Sequence, residues 1–354
     1  MDKRIEVGVL GATGAVGQRM VSLLAEHRWF ELVELAASAR SAAKSYGEAV
    51  KWRLSMPLPA AAAKLRVRSI DPEDGPFRSQ ILFSALDSEV AGEAESRLAA
   101  AGHAIVSNSK NHRMVHDVPL VIPEVNHEHL ALIPAQRKRL GSAGFIVTNP
   151  NCSSTGMTMA LAPILEEFGI ESIVVATLQA VSGAGYPGLP SMDILDNIVP
   201  YIAGEEEKIE TEPGKMLGRL AHGGGRVENA SFTIAAMVHR VPVVDGHIVS
   251  LHVRTNRPAP PGQVVAAWRD WSRRRALDLP TAPAEPLVYF EEPDRPQTRL
   301  DRDLGGGMTT SLGRLRPSQE GGLRFTCLSH NTLRGAAGAA VLNAELLVRE
   351  GYVK

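Results

Sequence analysis

The stretch "RIEVGVLGATGAVGQRM", residues 4–20, decides the fold class of this chain. It begins as a short β-type run, turns at Gly11, Gly14 and Gly17, and continues with the apolar spacing of a helix. Glycine permits a tight turn and lets bare backbone approach a pyrophosphate, which the positive N-terminal end of a helix binds. The stretch therefore predicts a dinucleotide site at the first strand–helix junction. An ordinary glycine-rich turn is the alternative interpretation.

The residues after the second predicted strand indicate which dinucleotide binds. An NAD site typically has Asp or Glu about 20 residues past the glycines, where the carboxylate binds the ribose hydroxyls. The matching stretch "AASARSAAK", residues 36–44, has no carboxylate. It offers Ser38, Arg40, Ser41 and Lys44, which are groups suited to a 2′-phosphate. This pattern favours NADP over NAD, with a solvated polar loop as the alternative.

Strands that alternate with helices continue up to residue 148. The runs "FELVELAAS", "QILFSAL", "HAIVSNS" and "PLVIPEVN" are predicted strands, and "EVAGEAESRLAAAG" is a predicted helix between two of them. This alternation predicts an α/β fold with a Rossmann-type doubly wound parallel sheet over residues 1–148.

The pattern changes after residue 148. Long β-rich runs with fewer helices, such as "ESIVVATLQAVSG" and "HIVSLHVRT", predict an α+β domain with a largely antiparallel sheet over residues 149–333. The terminal run "TLRGAAGAAVLNAELLVREG" is a predicted helix rich in small residues. We expect the helical segment 334–354 to pack back onto the first domain and complete it.

Composition excludes several classes of function. The chain has 354 residues and a net charge of −1, so no global field recruits nucleic acid or an acidic membrane. Its two cysteines give neither a disulfide framework nor a metal-binding spacing. The first strand begins too early for a signal peptide, and no stretch reaches the roughly 18 apolar residues of a membrane span. A cytoplasmic protein without a resident metal is expected.

One of the two cysteines lies in a position suited to chemistry. Cys152, in "TNPNCSSTG" (residues 148–156), falls between a predicted strand and a predicted helix, and Asn151 is a suitable N-cap. Backbone N–H groups at a helix start favour thiolate over thiol, so we expect a lowered pKa for Cys152. Cys327, inside the predicted strand "LRFTCLSH", is expected to be structural.

The stretch "HRVPVVDGHIVSLHV", residues 239–253, supplies a partner for the nucleophile. Asp245 and Gly246 between apolar runs predict a two-residue hairpin turn. Such a turn pairs Val244 with His247 and, by strand alternation, places His247 and Arg240 on one face. They would then lie about 13 Å apart along the sheet. A hydrogen-bonded strand histidine and a surface arginine are the alternatives.

Several motifs together resemble one known family. They are "NPNCSSTG", "QAVSGAGYPG", "GEEEKIETEP" and "HRVPVVDGH", with "DVPLVIPEVN", "EEPDRPQTRLDRD" and "HNTLRGAAG" extending the match over essentially the whole chain. In this order, behind a GxxGxxG strand, they resemble aspartate-semialdehyde dehydrogenase. The resemblance is closer to the archaeal and fungal branch of that family than to the common bacterial one.

The resemblance implies four catalytic residues. Cys152 matches the nucleophile, which forms a thioester from an acyl phosphate or a hemithioacetal with an aldehyde. His247 matches the general acid/base. Gln179 matches the residue that orients the substrate, and Asn151 lies beside the nucleophile as a positioning residue.

The resemblance also implies residues that bind the substrate. Arg240 matches the residue that holds the α-carboxylate, a task suited to a planar guanidinium. Glu205 matches the acidic group that faces the α-ammonium. Lys208 and Arg113 match the residues that hold the phosphate. Without the resemblance, the run "EEEK" would indicate no more than a solvated helix face.

The cofactor residues are expected at the glycine turn, at the end of the second strand and near the nucleophile. They are Gly11, Thr13, Gly14, Ala15, Val16, Gly17, Ser38, Arg40, Ser41, Lys44, Ser182, Gly183 and Asn331.

The implied reaction is NADPH-dependent reductive dephosphorylation of L-aspartyl 4-phosphate to L-aspartate 4-semialdehyde, a precursor of lysine, threonine and methionine. The resemblance implies a homodimer or homotetramer, with neither a nucleic-acid nor a membrane partner. A malonyl-CoA (acyl-CoA) reductase of the same branch and a non-catalytic NADP-binding protein are the alternatives. A thiol hydrolase would leave the glycine turn without a purpose.

Overall fold

The structure, a computed structural model, describes residues 4–70, 74–319 and 321–354. Residues 1–3 and 71–73 belong to the predicted first domain but lie outside the described part. The described chain forms two six-stranded sheets and a short two-stranded one. None of its described helices combines the length and the apolar character that crossing a membrane requires.

The first sheet contains the strands of the N-terminal half. They are β1 (Ile5–Leu10), β2 (Phe30–Ala36), β3 (Val67–Arg68), β4 (Ile81–Ser84), β5 (Ala104–Ser107) and β6 (Phe145–Thr148). All neighbours are parallel, in the order β3-β2-β1-β4-β5-β6. The strand order therefore reverses between β1 and β4, where such sheets open a crevice at their carboxyl edge. The predicted doubly wound parallel sheet is confirmed.

The prediction of a strand at "PLVIPEVN" is wrong. Leu120 makes an isolated parallel bridge with Thr148, but residues Pro123–Asn126 form a short helix. Pro123 occupies the first helical turn, where the missing N–H costs nothing because no helical partner exists for it there. The apolar run before it is buried, but it does not form a ladder.

Five of the described α-helices have 12 residues or more, and the others are shorter. In chain order they are α1 (Ala15–Leu24), α2 (Tyr46–Ala49), α3 (Ala60–Ala63), α4 (Ser88–Ala100), α5 (Pro123–Asn126), α6 (Ile133–Leu140), α7 (Cys152–Phe168), α8 (Ser191–Ile194), α9 (Glu205–Met216), α10 (Pro261–Arg275), α11 (Thr298–Asp301), α12 (Leu304–Gly307) and α13 (Gly338–Arg349). A π-helical turn, Leu333–Ala337, precedes α13.

The second sheet is mixed. The remaining strands of the described chain are β7 (Ser172–Ala180), β8 (Arg219–Leu220), β9 (Val227–Glu228), β10 (Thr233–Val241), β11 (His247–Arg254), β12 (Leu287–Phe290), β13 (Thr310–Pro317) and β14 (Leu323–Ser329). Strands β8 and β9 form the two-stranded sheet, and the other six form the second large sheet. The sheet order is β10-β7-β11-β14-β13-β12. The pairs β7–β11, β11–β14 and β13–β14 are antiparallel, whereas β10–β7 and β12–β13 are parallel. The expectation of a largely antiparallel sheet therefore holds for its centre.

The predicted hairpin between β10 and β11 is wrong, because β7 lies between these two strands. Residues 242–246 cross over the end of β7 instead of turning tightly. The crossing is held by hydrogen bonds from the N–H groups of Val181 and Ser182 to the carbonyls of Val243 and Val244. Pro242, which has no N–H to donate to a ladder, follows the last residue of β10.

This arrangement changes the geometry of the predicted site. Arg240 of β10 is in register with Gln179 of β7. On the other side of β7, Ile248 is opposite Leu178, which brings His247 to the level of Gln179. The three side chains therefore form one row across three neighbouring strands rather than being separated along a hairpin.

The C-terminal helix belongs to the first hydrophobic core. Val341, Leu342, Leu346 and Leu347 of α13 pack with the apolar side chains of β1, β2, β4 and β5. Nearly all of α13 is buried, as expected for a helix that is apolar on every side. A separate core joins α7 and α10 to the second sheet. On this packing we propose the division into 1–148 with 334–354, and 149–333.

Candidate active site

Cys152 is the first residue of α7, and local hydrogen bonds fix this start. The side-chain oxygen of Asn151 accepts the N–H groups of Ser153 and Ser154 at 3.0 and 3.2 Å, which caps the helix. Cys152 is partly exposed towards a cavity. Its Sγ lies 3.2 Å from Nε2 of His247, so the two residues predicted to act together do meet.

His247 is fully buried and anchored by backbone. Its Nδ1 accepts the N–H of Ala180 at 3.0 Å. A neutral imidazole has one N–H, so with Nδ1 as acceptor the proton is on Nε2, facing the sulfur. Burial lowers the pKa of His247 to about 3, and Arg240 adds to this effect. The ring is therefore neutral at physiological pH and presents a donor to Cys152.

The environment of Cys152 does not support the expected lowered pKa. Burial and the nearby carboxylate of Glu205 raise the pKa of the thiol, and these effects outweigh Arg113, Arg240 and Lys208, which lower it. The expectation of a lowered pKa from the helix start is therefore wrong. The thiol form dominates near neutral pH.

Arg240 and His247 are bound to the same residue of β7. Nη1 of Arg240 donates to the carbonyl of Ala180 at 2.7 Å, while the N–H of Ala180 binds His247. Gly183 lies against both side chains. A Cβ on this glycine would be 2.7 Å from Nη1 of Arg240 and 3.3 Å from Nε2 of His247. Only glycine leaves space for both groups.

Glu205, the first residue of α9, connects the predicted substrate residues. Its Oε2 accepts Nδ2 of Asn151 at 2.9 Å and Nε2 of Gln179 at 3.3 Å, and its Oε1 pairs with Lys208. Burial acts to raise the pKa of Glu205, but Lys208 and the two amide donors outweigh burial and hold it below its ordinary value. The carboxylate is therefore ionised beside the nucleophile.

Arg113 reaches the site from the loop after β5 and is 7% exposed. Its Nη1 pairs with Oε1 of Glu212 at 2.8 Å, and its Nη2 donates to the carbonyl of Asn108 at 2.8 Å. Lys110, from the same loop, lines the same cavity. Cationic groups from both halves of the chain therefore converge near Cys152.

The cavity beside Cys152 has a volume of about 360 Å³. Its wall contains Asn151, Cys152, Glu205, Lys208, Arg113, Val16, Ser182, Gly183 and Asn331 from the predicted set. Asn331 ties two of its loops together: its Oδ1 accepts the N–H of Gly246 and its Nδ2 donates to Oγ of Ser182, both at 2.8 Å. Gln179, Arg240 and His247 form the deeper, buried layer behind Gly183.

A second cavity, of about 430 Å³, continues from the first. Both cavities are lined by Ala85, Leu86 and Asp87, which follow β4. The wall of the second contains Gly11, Thr13, Gly14, Ser38 and Arg40. Together the two cavities run from the end of β2 past the start of α1 to Cys152. A dinucleotide that crosses the carboxyl edge of the sheet needs such a path.

The glycine turn has the geometry that a phosphate cradle requires. Gly11 has a φ of +72°, and a Cβ there would lie 2.5 Å from the carbonyl oxygen of Ala85. A Cβ on Gly17 would overlap the carbonyl oxygen of Gly11. Gly14 is the N-cap of α1, so Ala15 begins the helix whose N–H groups face the crevice. Each glycine therefore has a separate structural reason.

Some predicted cofactor residues lie outside the cavity walls. Ser41 and Lys44 do not line either cavity, although both belong to the turn that follows Arg40. Ala15 and Gly17 contribute backbone and packing at the start of α1 rather than wall surface. Among the described residues, no group of three or more His, Cys, Asp or Glu side chains is placed to hold a metal ion.

Several wall residues were missed from the sequence. They include Ser69, Ile70, Leu86, Asp87, Val90, Ser109, Lys110, Thr332, Gly335 and Ala336. Those between 69 and 110 follow β3, β4 and β5 at the carboxyl edge of the parallel sheet. Ligands of open α/β sheets bind at this edge, so strand ends were a usable signal.

Comparisons with known proteins agree with this geometry. The family model "Semialdehyde dehydrogenase, NAD binding domain" matches residues 6–133, and "Semialdehyde dehydrogenase, dimerisation domain" matches residues 161–334. The aspartate-semialdehyde dehydrogenase of Archaeoglobus fulgidus is 48% identical over 99% of this chain and 100% of its own. That of Aspergillus fumigatus is 47% identical over 98% of each.

The chain belongs to the aspartate-semialdehyde dehydrogenase family. As a family member it is an oxidoreductase. The crystal structure of aspartate semialdehyde dehydrogenase with NADP from Candida albicans is 40% identical, with a TM-score of 0.90 over 99% of this chain and 100% of that one. The enzyme II of Vibrio cholerae complexed with ASA is 28% identical, with a TM-score of 0.76 over 99% of each. The resemblance to the archaeal and fungal branch is confirmed.

The protonation state of Cys152 in this family member can be tested by alkylation. We expect iodoacetamide to label Cys152 slowly near neutrality, with a rate that rises about tenfold per pH unit between about pH 6 and 8. The sign follows from the raised pKa of the thiol, since the reactive thiolate increases with pH until the pKa is reached. Mass spectrometry of the labelled peptide over time measures the rate.

Cys327→Ala is the control for this experiment, because Cys327 is 1% exposed in the second core and should take no label in the folded chain. A labelling rate that is already independent of pH above about pH 6 would show a preformed thiolate and contradict the expectation.

Proposed function

We propose that this chain catalyses NADPH-dependent reductive dephosphorylation of L-aspartyl 4-phosphate to L-aspartate 4-semialdehyde, and the reverse reaction with phosphate. One observation carries the proposal: the Cys152–His247 pair, with its 3.2 Å separation, lies at the end of a cavity that continues to the glycine turn. The names of the relatives and the Candida albicans complex with NADP support it.

The charges around Cys152 complement the proposed substrate. Arg240 is assigned to the α-carboxylate, Glu205 to the α-ammonium, and Arg113 and Lys208 to the phosphate. Each substrate charge then has an opposite protein charge, and a guanidinium suits planar carboxylate recognition. Gln179 and Asn151 hold Glu205 by hydrogen bonds, so they orient the substrate through that carboxylate.

In the biosynthetic direction the sulfur of Cys152 attacks the acyl carbon, and phosphate leaves with the thiol proton to give a thioester. NADPH, when bound, would supply the hydride that reduces this thioester. Nε2 of His247 donates its proton to the oxygen that becomes the hemithioacetal hydroxyl. When the hemithioacetal collapses to the aldehyde, this proton returns to Nε2, and the released thiolate takes a proton from solvent. The positive end of the α7 macrodipole favours negative charge on this oxygen.

The pocket residues fit NADP rather than NAD. Ser38 and Arg40 line the cavity at the end of β2, and no carboxylate occurs between residues 36 and 44. A guanidinium and a hydroxyl suit a 2′-phosphate, whereas an NAD site uses an acidic residue there. We assign Ser38 and Arg40 to the 2′-phosphate, and Gly11, Thr13, Gly14, Ala15 and Val16 to the pyrophosphate.

The chain is proposed to act as a homodimer, or as a tetramer of dimers, through the outer face of the second sheet. Val174, Leu178 and Met237 are exposed there at 44%, 38% and 51%. The exposed apolar residues Met192, Leu195, Ile198 and Tyr201 belong to the segment between β7 and α9. An apolar surface of this kind is typical of a protein interface.

The reaction is tested by NADPH absorbance with semialdehyde, phosphate and NADP. Cys152→Ala should lower the rate by at least about a thousandfold, and His247→Asn by about a hundredfold to ten-thousandfold. Cys327→Ala, which removes the other thiol, should stay near the wild-type rate. NADPH oxidation with malonyl-CoA but not with aspartyl phosphate would establish the acyl-CoA reductase instead.

The cofactor assignment is tested by Arg40→Ala. Loss of a charge-assisted hydrogen bond should raise the KM for NADP about tenfold and leave the KM for NAD nearly unchanged. Lys44→Ala removes a positive charge from the same turn outside the cavity wall and should change neither value appreciably. An equal rise in both KM values for Arg40→Ala would contradict a 2′-phosphate contact.

The interface is tested by sedimentation of the wild type and of Met237→Glu. The wild type should sediment as a multiple of 38.0 kDa, and the variant should shift towards the monomer because a charge would be buried without a partner. Met56→Glu replaces another exposed methionine, outside the 161–334 match, and serves as the control. A wild type found solely at 38.0 kDa would refute the oligomer.

A further inference from the structure

Helix α9 presents four charged residues to the site, and two of them have no assigned role. Glu205, Lys208, Glu212 and Lys215 are spaced by three, four and three residues, so they lie along one face of the helix. Glu205 and Lys208 line the cavity beside Cys152. Glu212 and Lys215 are only 2% and 3% exposed, and buried charges need strong partners.

Glu212 accepts two hydrogen bonds from functionally important groups. Its Oε1 binds Nη1 of Arg113 at 2.8 Å, and its Oε2 binds the backbone N–H of Asn151 at 2.6 Å. Both partners are donors. A carboxylate accepts at both oxygens, whereas a glutamine side chain would have to turn its NH₂ group towards one of these donors. The site therefore requires a carboxylate at this position, not only a polar group of the same size.

Lys215 fixes the backbone of the loop that carries Arg113. Its Nζ donates to the carbonyls of Arg113, Val115 and Val118 at 2.7, 2.8 and 2.8 Å. Helix α9 thus holds both the main chain of this loop, through Lys215, and the guanidinium of Arg113, through Glu212.

These contacts leave one part of Arg113 available. Nη1 donates to Glu212 and Nη2 to the carbonyl of Asn108, and each of these nitrogens carries a second N–H group. Arg113 lines the cavity that contains Cys152 and Lys208. The second N–H groups of Nη1 and Nη2 can therefore donate to an anionic oxygen in this cavity while the contacts to Glu212 and Asn108 are kept.

We propose that Glu212 is the positioning residue that orients Arg113 towards the phosphoryl group in this cavity. Glu212 touches no substrate and acts through Arg113. The proposal rests on the proposed function, since it concerns the phosphate of that reaction.

Two measurements, the NADPH burst without phosphate and the KM for phosphate, separate this role from a structural one. Mixing enzyme, semialdehyde and NADP without phosphate should give a burst of about one NADPH per site, because thioester formation needs Cys152 but not phosphate. Steady-state turnover then needs phosphate to release the acyl group. Glu212→Gln should raise the KM for phosphate about tenfold or more, while the burst amplitude and the KM for semialdehyde change less than about twofold.

Matched variants complete the test. Glu207→Gln removes a charge from an exposed position of the same helix and should behave as wild type. If Glu212 acts through Arg113, adding Glu212→Gln to Arg113→Ala should raise the KM for phosphate less than about twofold further. Circular dichroism checks folding, and Glu212→Asp replaces Glu212→Gln in these measurements if the latter does not fold. Its carboxylate is one methylene shorter, so it cannot keep the contacts to Arg113 and to the N–H of Asn151 at the same time.

An unchanged or lower KM for phosphate in a folded Glu212 variant would overturn the proposal. So would equal rises in the KM for phosphate and for semialdehyde, a lost burst amplitude, or full additivity with Arg113→Ala. Absence of both burst and turnover in the wild type is a different failure, because it would refute the proposed function itself.

Discussion

The contact between Cys152 and His247 is the interaction on which the site depends. It joins the first residue of α7 to the first residue of β11, so a helix start and a strand start must both be placed to within a fraction of an ångström. Asn151 fixes the helix by capping it, and Ala180 fixes the imidazole through its N–H. Because Ala180 also binds Arg240, one residue of β7 determines the positions of both His247 and the proposed carboxylate ligand.

Charge balance around this contact constrains the chemistry. Glu205 and Glu212 are buried within reach of Cys152 or of its N-cap, and each has a cationic partner, Lys208 and Arg113 respectively. Arg240 has no carboxylate within ion-pair distance among the described residues, and its Nη1 donates to the carbonyl of Ala180 instead. The resting site is thus polar and nearly neutralised, and the raised pKa of the Cys152 thiol follows from burial that these cations do not fully offset. A substrate that brings its own charges changes this balance when it binds.

The sequence predicted what local patterns determine. Gly11, Gly14 and Gly17 between a strand and a helix predicted the turn directly, and Gly17 packs against the carbonyl of Gly11 within the same short stretch. Asn151 before a helix predicted the cap for the same reason. The resemblance to the family added Gln179 of the second sheet and gave His247 and Arg240 their expected roles, and the structure brings Cys152 and His247 together as that set requires.

Local sequence patterns did not predict which strands are neighbours in the second sheet or which distant residues are in contact. Asp245 and Gly246 have the composition of a hairpin turn, yet β7, some 60 residues earlier, inserts between β10 and β11. The sequence of residues 239–253 has no feature that predicts this insertion. The partners of Glu212 and of Gly335 are likewise distant in sequence, at Arg113 and Cys152. Ligands of open α/β sheets bind at the carboxyl edge, so some residues after β3, β4 and β5 were expected to line the cavities. The individual residues could not be predicted, because strand ends shift by a residue or two.

Two positions beside the site residues have space only for glycine. A Cβ on Gly335 would lie 2.6 Å from the Cβ of Cys152, and one on Gly183 would lie 2.7 Å from Nη1 of Arg240. Gly335 belongs to the π-helical turn before α13, the helix that packs into the first core. The wall behind the nucleophile is therefore built by the segment that returns to the nucleotide-binding half. Cys152 is thus enclosed by both halves of the chain, so the reacting sulfur and the start of α1 are held by one continuous packing arrangement.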